Sequence, residues 1–115
     1  MTQFFVHQIH LTDAEADVLN AVGWDTAIKA VPRIRAYCDR HDARNTRDHW
    51  AAGAYECVAK IEAKDLEDVF IVSNVGMEDQ IERFSRMSSV SVGDVIENTE
   101  TGELHVVAGV GFERI

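Results

Sequence analysis

Apolar and polar positions alternate in two stretches that lie well apart along the chain. Residues 3–9 (QFFVHQI) are rich in the aromatic and β-branched residues that favour strands. In residues 55–63 (YECVAKIEA) the apolar positions are Tyr55, Cys57, Ala59 and Ile61, and the polar positions are Glu56, Lys60 and Glu62. We predict that each stretch forms a strand, that the second is half-buried, and that the two pair with each other.

The segment that follows the first strand carries the signals of a helix. Thr12 opens a capping-box pattern, because Glu15 follows it by three residues. Gly23 is placed to end the helix. Between these signals lies an apolar stripe at helical spacing, which consists of Ala14, Val18, Leu19 and Val22.

Three shorter segments lead from this helix to the second strand. Residues 24–31 fit either a short helix or an irregular connection. Pro32, the only proline, favours the first turn of a helix that runs to about His41. Residues 46–53 predict a further short helix, with Asn45 as its cap.

Helix and strand signals alternate again after residue 63. Asp65 predicts the cap of a helix whose core side consists of Leu66, Val69, Phe70 and Val72. Residues 78–84 predict a short acidic helical turn. Residues 90–97 and 104–107 flank a turn-rich sequence, which predicts a β-hairpin, and a short closing strand follows near Phe112.

These elements predict an α+β fold in a single domain that comprises residues 1–115. We expect a small antiparallel sheet with three or four helices packed on it and a β-hairpin at the C-terminal end. The length is ordinary for one domain, and the hydrophobic content of 46% and charged content of 27% are ordinary for a globular protein. The open edge of such a sheet would allow a homodimer.

The sequence also predicts a cytoplasmic protein with no membrane partner. The first residues lack the basic and apolar regions of a signal peptide. The longest apolar run, residues 106–112, is far shorter than the roughly 20 residues that span a bilayer. Two cysteines in the whole chain fit a reducing compartment, where both thiols stay free.

Charge is the most informative feature of the composition. The 11 basic and 20 acidic residues give a net charge of −9, which disfavours direct contact with phosphate backbones or anionic lipid. The charge is uneven, and a basic cluster lies within residues 33–47: Arg33, Arg35, Arg40, Arg44 and Arg47. An acidic set with almost no local bases follows: Glu62, Asp65, Glu67, Asp68, Glu78, Asp79 and Glu82.

Both charged groups admit a functional and a purely solvated interpretation. Carboxylates form directional, charge-assisted pairs with arginine, so the acidic set would suit a basic surface of a protein or ribonucleoprotein partner. The basic cluster would suit phosphate contacts, which makes a small regulatory nucleic-acid-binding protein the alternative hypothesis. In the other interpretation, each group is an ordinary solvated face with local ion pairs.

No constellation of residues predicts catalysis, a metal or a cofactor. The only residues that resemble a metal set are Cys38, His41, His49 and Cys57, and the spacing of the last two is loose. The remaining histidines predict no shared site, since His7 and His10 point to opposite faces and His105 stands alone. No nucleophile, general base or phosphate-binding motif is present, so we expect a protein that is not an enzyme.

Three short motifs resemble those of the YodL-like proteins, which are small proteins and domains common on phages, plasmids and other mobile elements. They are a helix with the sequence LEDVF at residues 66–70, a segment SSVSVGDVI at residues 88–96, and a closing VGF at residues 110–112. The resemblance covers about residues 62–113, and the sequence differs from the family at residues 104–107, where the family often carries a tyrosine-rich strand. It implies an accessory protein of a mobile element, such as an inhibitor of host defence of the anti-CRISPR or antirestriction kind, and it implies no catalytic residue.

Overall fold

The computed structural model describes all residues, 1–115, and shows a six-stranded antiparallel sheet with the strand order β3-β2-β1-β4-β5-β6. The strands are β1 (Thr2–Gln8), β2 (Glu56–Ala63), β3 (Ile81–Arg83), β4 (Val95–Asn98), β5 (Leu104–Val107) and β6 (Phe112–Arg114). The helices are α1 (Asp13–Val22), α2 (Trp24–Ala30), α3 (Pro32–Asp39), α4 (Thr46–Ala51) and α5 (Leu66–Val75). The α+β class is therefore confirmed, with five helices where three or four were predicted. The C-terminal hairpin is confirmed as well, because β4 pairs with β5 and the closing strand β6 pairs with β5 in turn.

The core lies between α5 and one face of the sheet, which we call the core face. Residues directly opposite one another on paired strands share a face, and Val6 of the central strand β1 opposes both Ala59 of β2 and Ile96 of β4. These three side chains pack in one buried cluster with Val69 and Val72 of α5. The predicted pairing of the first two strands is thus confirmed, and it forms the centre of the molecule.

A β-bulge interrupts the predicted alternation along β2. The register shifts between Val6 and His7, so that Val6 opposes Ala59 whereas His7 opposes Cys57. The bulge leaves Val58 as an extra residue between two paired ones. The prediction that Cys57 shares a face with Ala59 is therefore wrong, because the inserted residue turns Cys57 to the opposite face of the sheet.

Two segments adopt a different backbone from the one predicted. The acidic stretch after α5 forms a 3-10 turn only at Glu78–Gln80 and then continues as the edge strand β3, which pairs with β2. Residues 90–94 form no strand, because a turn runs from Ser91 to Asp94 and the φ of +94° at Gly93 breaks the extended conformation. The strand begins only at Val95.

The first two helices, α1 and α2, are more exposed than α5. The capping box of α1 is confirmed, since the Glu15 amide donates to Thr12 Oγ1 and the Thr12 amide donates to Glu15 Oε1. The apolar stripe of α1 is not buried, and no residue of this helix lies in the core. Residues 24–31, which the sequence left undecided, contain the helix α2.

Candidate functional site

Two acidic residues of the candidate set are engaged in capping α5. The Asp68 amide donates to Asp65 Oδ1 at 2.9 Å, and the Lys64 amide donates to Asp68 Oδ2 at 2.9 Å. Asp65 therefore is the cap that the sequence predicts, and both carboxylates stabilise the first turn of the helix. Substituting either residue would lower the stability of α5 as well as alter any interface.

Two further acidic residues form exposed ion pairs at the β2–β3 edge. Glu82 lies opposite Lys60 on the paired strands, with Oε2 at 3.2 Å from Nζ. Glu78 pairs with Arg83, and the hydrogen bonds from this guanidinium lower the pKa of the Glu78 carboxyl. These two carboxylates are partly neutralised by cations of the chain itself.

Three exposed carboxylates of the set have no ion pair or side-chain hydrogen bond, and we call them the free carboxylates: Glu62, Glu67 and Asp79. Glu62 and Asp79 line the same cleft of about 170 Å³ at the β2–β3 edge. Glu67 lies on α5 and lines a different groove. The structure thus divides the seven residues of the acidic set into two caps, two paired carboxylates and three that are available to a partner.

Arg33 of the basic cluster forms hydrogen bonds with distant segments of the chain. Its Nη1 donates to the carbonyl of Ala54 at 2.7 Å, and its Nη2 donates to the carbonyl of His10 at 2.6 Å. Its Nε donates to Glu15 Oε2 at 3.0 Å. With all these donors committed inside the protein, Arg33 is a structural residue and not a free cation.

We expect Arg33→Met to lower the free energy of unfolding by roughly 2 kcal/mol, because it removes charge-assisted bonds and leaves their acceptors unpaired. Arg47→Met is the matched control, since Arg47 is exposed and has no side-chain partner, and it should change stability by less than about 0.5 kcal/mol. Urea titrations followed by circular dichroism measure both values. Equal urea midpoints for the two variants would show that the hydrogen bonds of Arg33 contribute nothing to stability.

Three other arginines of the basic cluster also have partners nearby. Arg35 lies 3.6 Å from Asp39, and Arg44 binds Asp42 through two hydrogen bonds. The hydrogen bonds from Arg44 lower the pKa of Asp42 to about 2. The guanidinium of Arg40 stacks over the ring of Tyr37, 3.7 Å from its centroid. Of the five arginines, only Arg47 has neither an acidic partner nor another contact.

The cysteines and histidines do not assemble into a site. The structure brings together no group of three or more His, Cys, Asp or Glu residues that could hold a metal ion. His41 Nδ1 lies 2.9 Å from the carbonyl oxygen of Val92, and His7 Nε2 lies 2.9 Å from Glu97 Oε1. Burial lowers the pKa of His7 in spite of that carboxylate.

Sequence reasoning missed an apolar groove between α5 and the β5–β6 hairpin, which we call the α5 groove. It has a volume of about 420 Å³ and is lined by Glu67, Phe70, Ile71, Val92, Val107, Ala108, Gly109, Gly111 and Phe112. The prediction that Phe70 faces the core is wrong, because 40% of this residue is exposed. The core side of α5 is already occupied by Val69 and Val72, which leaves Phe70 at the rim of the packed region.

A buried carboxyl group holds the turn before β4. Asp94 Oδ2 accepts hydrogen bonds from the Ser91 amide and from Gln8 Nε2, both at 3.0 Å. The Gln8 side chain also donates to the carbonyl of Ser88 and accepts from its amide. Burial raises the pKa of Asp94 to about 7. These bonds tie β1 to the 88–94 segment and give the group a structural role.

Comparison of the chain with protein-family models, curated proteins and solved structures finds no match. The longest helices, α1 and α5, contain ten residues each, and no helix combines the length and the apolar character that crossing a membrane requires. The functional conclusion therefore depends on the surface chemistry of this chain.

Proposed function

We propose that this protein is a small, acidic, non-enzymatic binding protein that occupies a basic surface of a host protein or ribonucleoprotein complex. The observation that carries this proposal is the separation of the charges. The free carboxylates are exposed and form no ion pair within the chain, whereas four of the five arginines of the basic cluster have contacts inside the chain. What the surface offers to a partner is consequently negative charge.

Such a surface competes with nucleic acid for the same binding partner. A channel that binds phosphates presents lysine and arginine side chains, and a carboxylate accepts hydrogen bonds from them in the way a phosphate oxygen does. The net charge of −9 also speeds the encounter with a positive surface. In the setting implied by the resemblance to the YodL-like proteins, the partner would be a host complex that handles nucleic acid or defends against it.

The alternative hypothesis, a regulatory nucleic-acid-binding protein, has less support. It needs several free cations on one face, and Arg47 is the only arginine of the basic cluster without a partner. The intrachain acids Asp39 and Asp42 lie beside Arg35 and Arg44 and would repel a phosphate backbone.

Affinity purification of the tagged chain from a host lysate, with and without nuclease, tests the proposal. We expect a stoichiometric protein partner that carries a basic nucleic-acid channel and that is still recovered after nuclease treatment, as identified by mass spectrometry. Recovery of nucleic acid, with partners that are lost on nuclease treatment, would contradict the proposal and favour the alternative hypothesis.

A further inference from the structure

One side of α5 carries large apolar side chains that are exposed to solvent. Ile71 and Val75 are 52% and 71% exposed, although Val69 and Val72 of the same helix are buried in the core. Residues four apart lie on the same side of a helix, so Glu67, Ile71 and Val75 form one stripe. A helix that is apolar on more than one side is normally covered on each of them.

The α5 groove runs beside this stripe and continues the apolar surface onto the sheet. Phe70 and Ile71 contribute from the helix, and Val107 and Phe112 contribute from the paired strands β5 and β6. Val110, at the turn between those strands, is 94% exposed and lies between two glycines that line the groove. The volume of about 420 Å³ is within the range of roughly 300–1,000 Å³ typical of ligand pockets.

The charge at the groove indicates which kind of chemical group would bind there. Glu67 is the only charged residue among those that line it, and this carboxylate has no cation within the chain. The groove therefore fits a group that is apolar at its centre and positive at one side. A second copy of this chain fits poorly, because it would bring another net charge of −9 to the same surface.

We propose that the α5 groove binds a segment of a partner protein that inserts a large apolar side chain next to Phe70 and Ile71 and places a lysine or arginine against Glu67. This inference rests on the proposed function, since the basic partner supplies the cation. The groove adds an apolar anchor, which gives such a complex the buried centre that exposed charge pairs lack.

Selection of peptides from a random phage-displayed library against the full chain tests this inference. We expect the selected peptides to combine a large aliphatic or aromatic residue with a neighbouring lysine or arginine. The double variant Phe70→Ser, Ile71→Ser should bind a synthetic copy of such a peptide roughly tenfold more weakly, because both exposed side chains line the groove and their apolar contact is lost. Val18→Ser with Val22→Ser is the matched control, since these exposed apolar residues lie on α1 away from the groove, and it should bind normally.

Each other result overturns the inference and bears differently on the proposed function. Some basic peptides could bind the groove variant as well as the native chain but bind the double variant Glu62→Gln, Asp79→Gln more weakly. That result would contradict binding at the groove and support binding at the acidic surface. Apolar peptides without a cation would reject the pairing with Glu67. A failure to select any peptide, or a dimer in sedimentation that the groove variant dissociates, would also reject a partner segment at this groove. The lysate experiment then still decides the proposed function on its own.

Discussion

Replacing Gly93 by alanine is expected to lower the free energy of unfolding by at least about 4 kcal/mol, which is a large share of the stability of a domain of this size. A Cβ atom at this position would lie 1.5 Å from the carbonyl oxygen of Arg40 and 2.5 Å from its carbonyl carbon. Both atoms are backbone, so no side-chain rotation relieves the clash. The C-terminal end of α3 and the turn before β4 would have to move apart.

The same turn has further bonds to lose. The Gly93 amide donates to the carbonyl of Val107 at 2.9 Å, and its carbonyl accepts from the hydroxyl of Tyr55 at 2.5 Å. A displacement that makes room for the methyl group would therefore disturb the start of the C-terminal hairpin as well as the contact with Arg40.

Gly76→Ala is the matched control for this substitution. Gly76 ends α5 with a φ of +79°, but no atom lies within 4 Å of the position of an added Cβ. It should lose only the roughly 1 kcal/mol that alanine costs in a left-handed conformation. Thermal and urea unfolding of both variants separate the two effects. Similar losses in the two variants would contradict the close approach between Arg40 and Gly93.

Asp94→Asn is expected to remove a large pH dependence of stability. Burial raises the pKa of the Asp94 carboxyl from its ordinary value of 3.8 to about 7, so the folded protein retains a proton there that the unfolded chain has released. Between about pH 4 and pH 7 folding therefore takes up a proton, and stability falls as the pH rises. Above pH 7 the full penalty applies, with an upper limit of about 4 kcal/mol.

The asparagine variant isolates this contribution from other titrating groups. Its amide oxygen accepts the bonds from the Ser91 amide and Gln8 Nε2 that Asp94 Oδ2 accepts in the native chain. The free energy of unfolding of each protein, measured by urea titration at pH 4.5 and pH 8, provides the comparison. Between pH 4.5 and pH 8 we expect the native chain to lose several kcal/mol of its free energy of unfolding relative to the variant. A difference that is independent of pH would show that Asp94 titrates normally.

Much of the fold follows from local signals that need no tertiary information. The capping pattern of Thr12 with Glu15 and that of Asp65 with Asp68 predict the starts of α1 and α5, and both sets of hydrogen bonds are present. A cap joins residues three apart in the chain, so its partners are visible in the sequence.

The elements that sequence reasoning misplaced depend on distant residues. Ile81–Arg83 forms a strand because it pairs with β2, where Ile81 lies opposite Ile61. Its mostly polar sequence contains no strand signal of its own. The bulge at Val58 is likewise a property of the β1–β2 register. The close approach of the Gly93 turn to the backbone of Arg40, just after α3, also depends on residues far apart in the chain.

The acidic set shows the same division between local and distant information. Its helix caps have partners three or four residues away, whereas the ion pair of Glu82 with Lys60 depends on the strand register. The α5 groove is invisible in the sequence, because it arises where α5 covers one part of the sheet and leaves the β5–β6 hairpin beside it uncovered.

The central claim is that the free carboxylates bind a basic partner, and charge reversal tests it most directly. The variant carries Glu62→Lys, Glu67→Lys and Asp79→Lys, which spares the capping and paired carboxylates. The control carries Asp17→Lys, Glu100→Lys and Glu113→Lys, which are exposed, lack side-chain partners and change the net charge by the same amount. Circular dichroism first establishes that both proteins fold as the native chain does.

Recovery of the protein partner from nuclease-treated host lysate is then compared for the native chain, the variant and the control. We expect the control to retain the partner and the charge-reversed variant to lose it almost completely, with the weak remaining binding being sensitive to salt. Equal recovery by the folded variant and the native chain would contradict the claim, because the partner would then be held by a surface without these carboxylates.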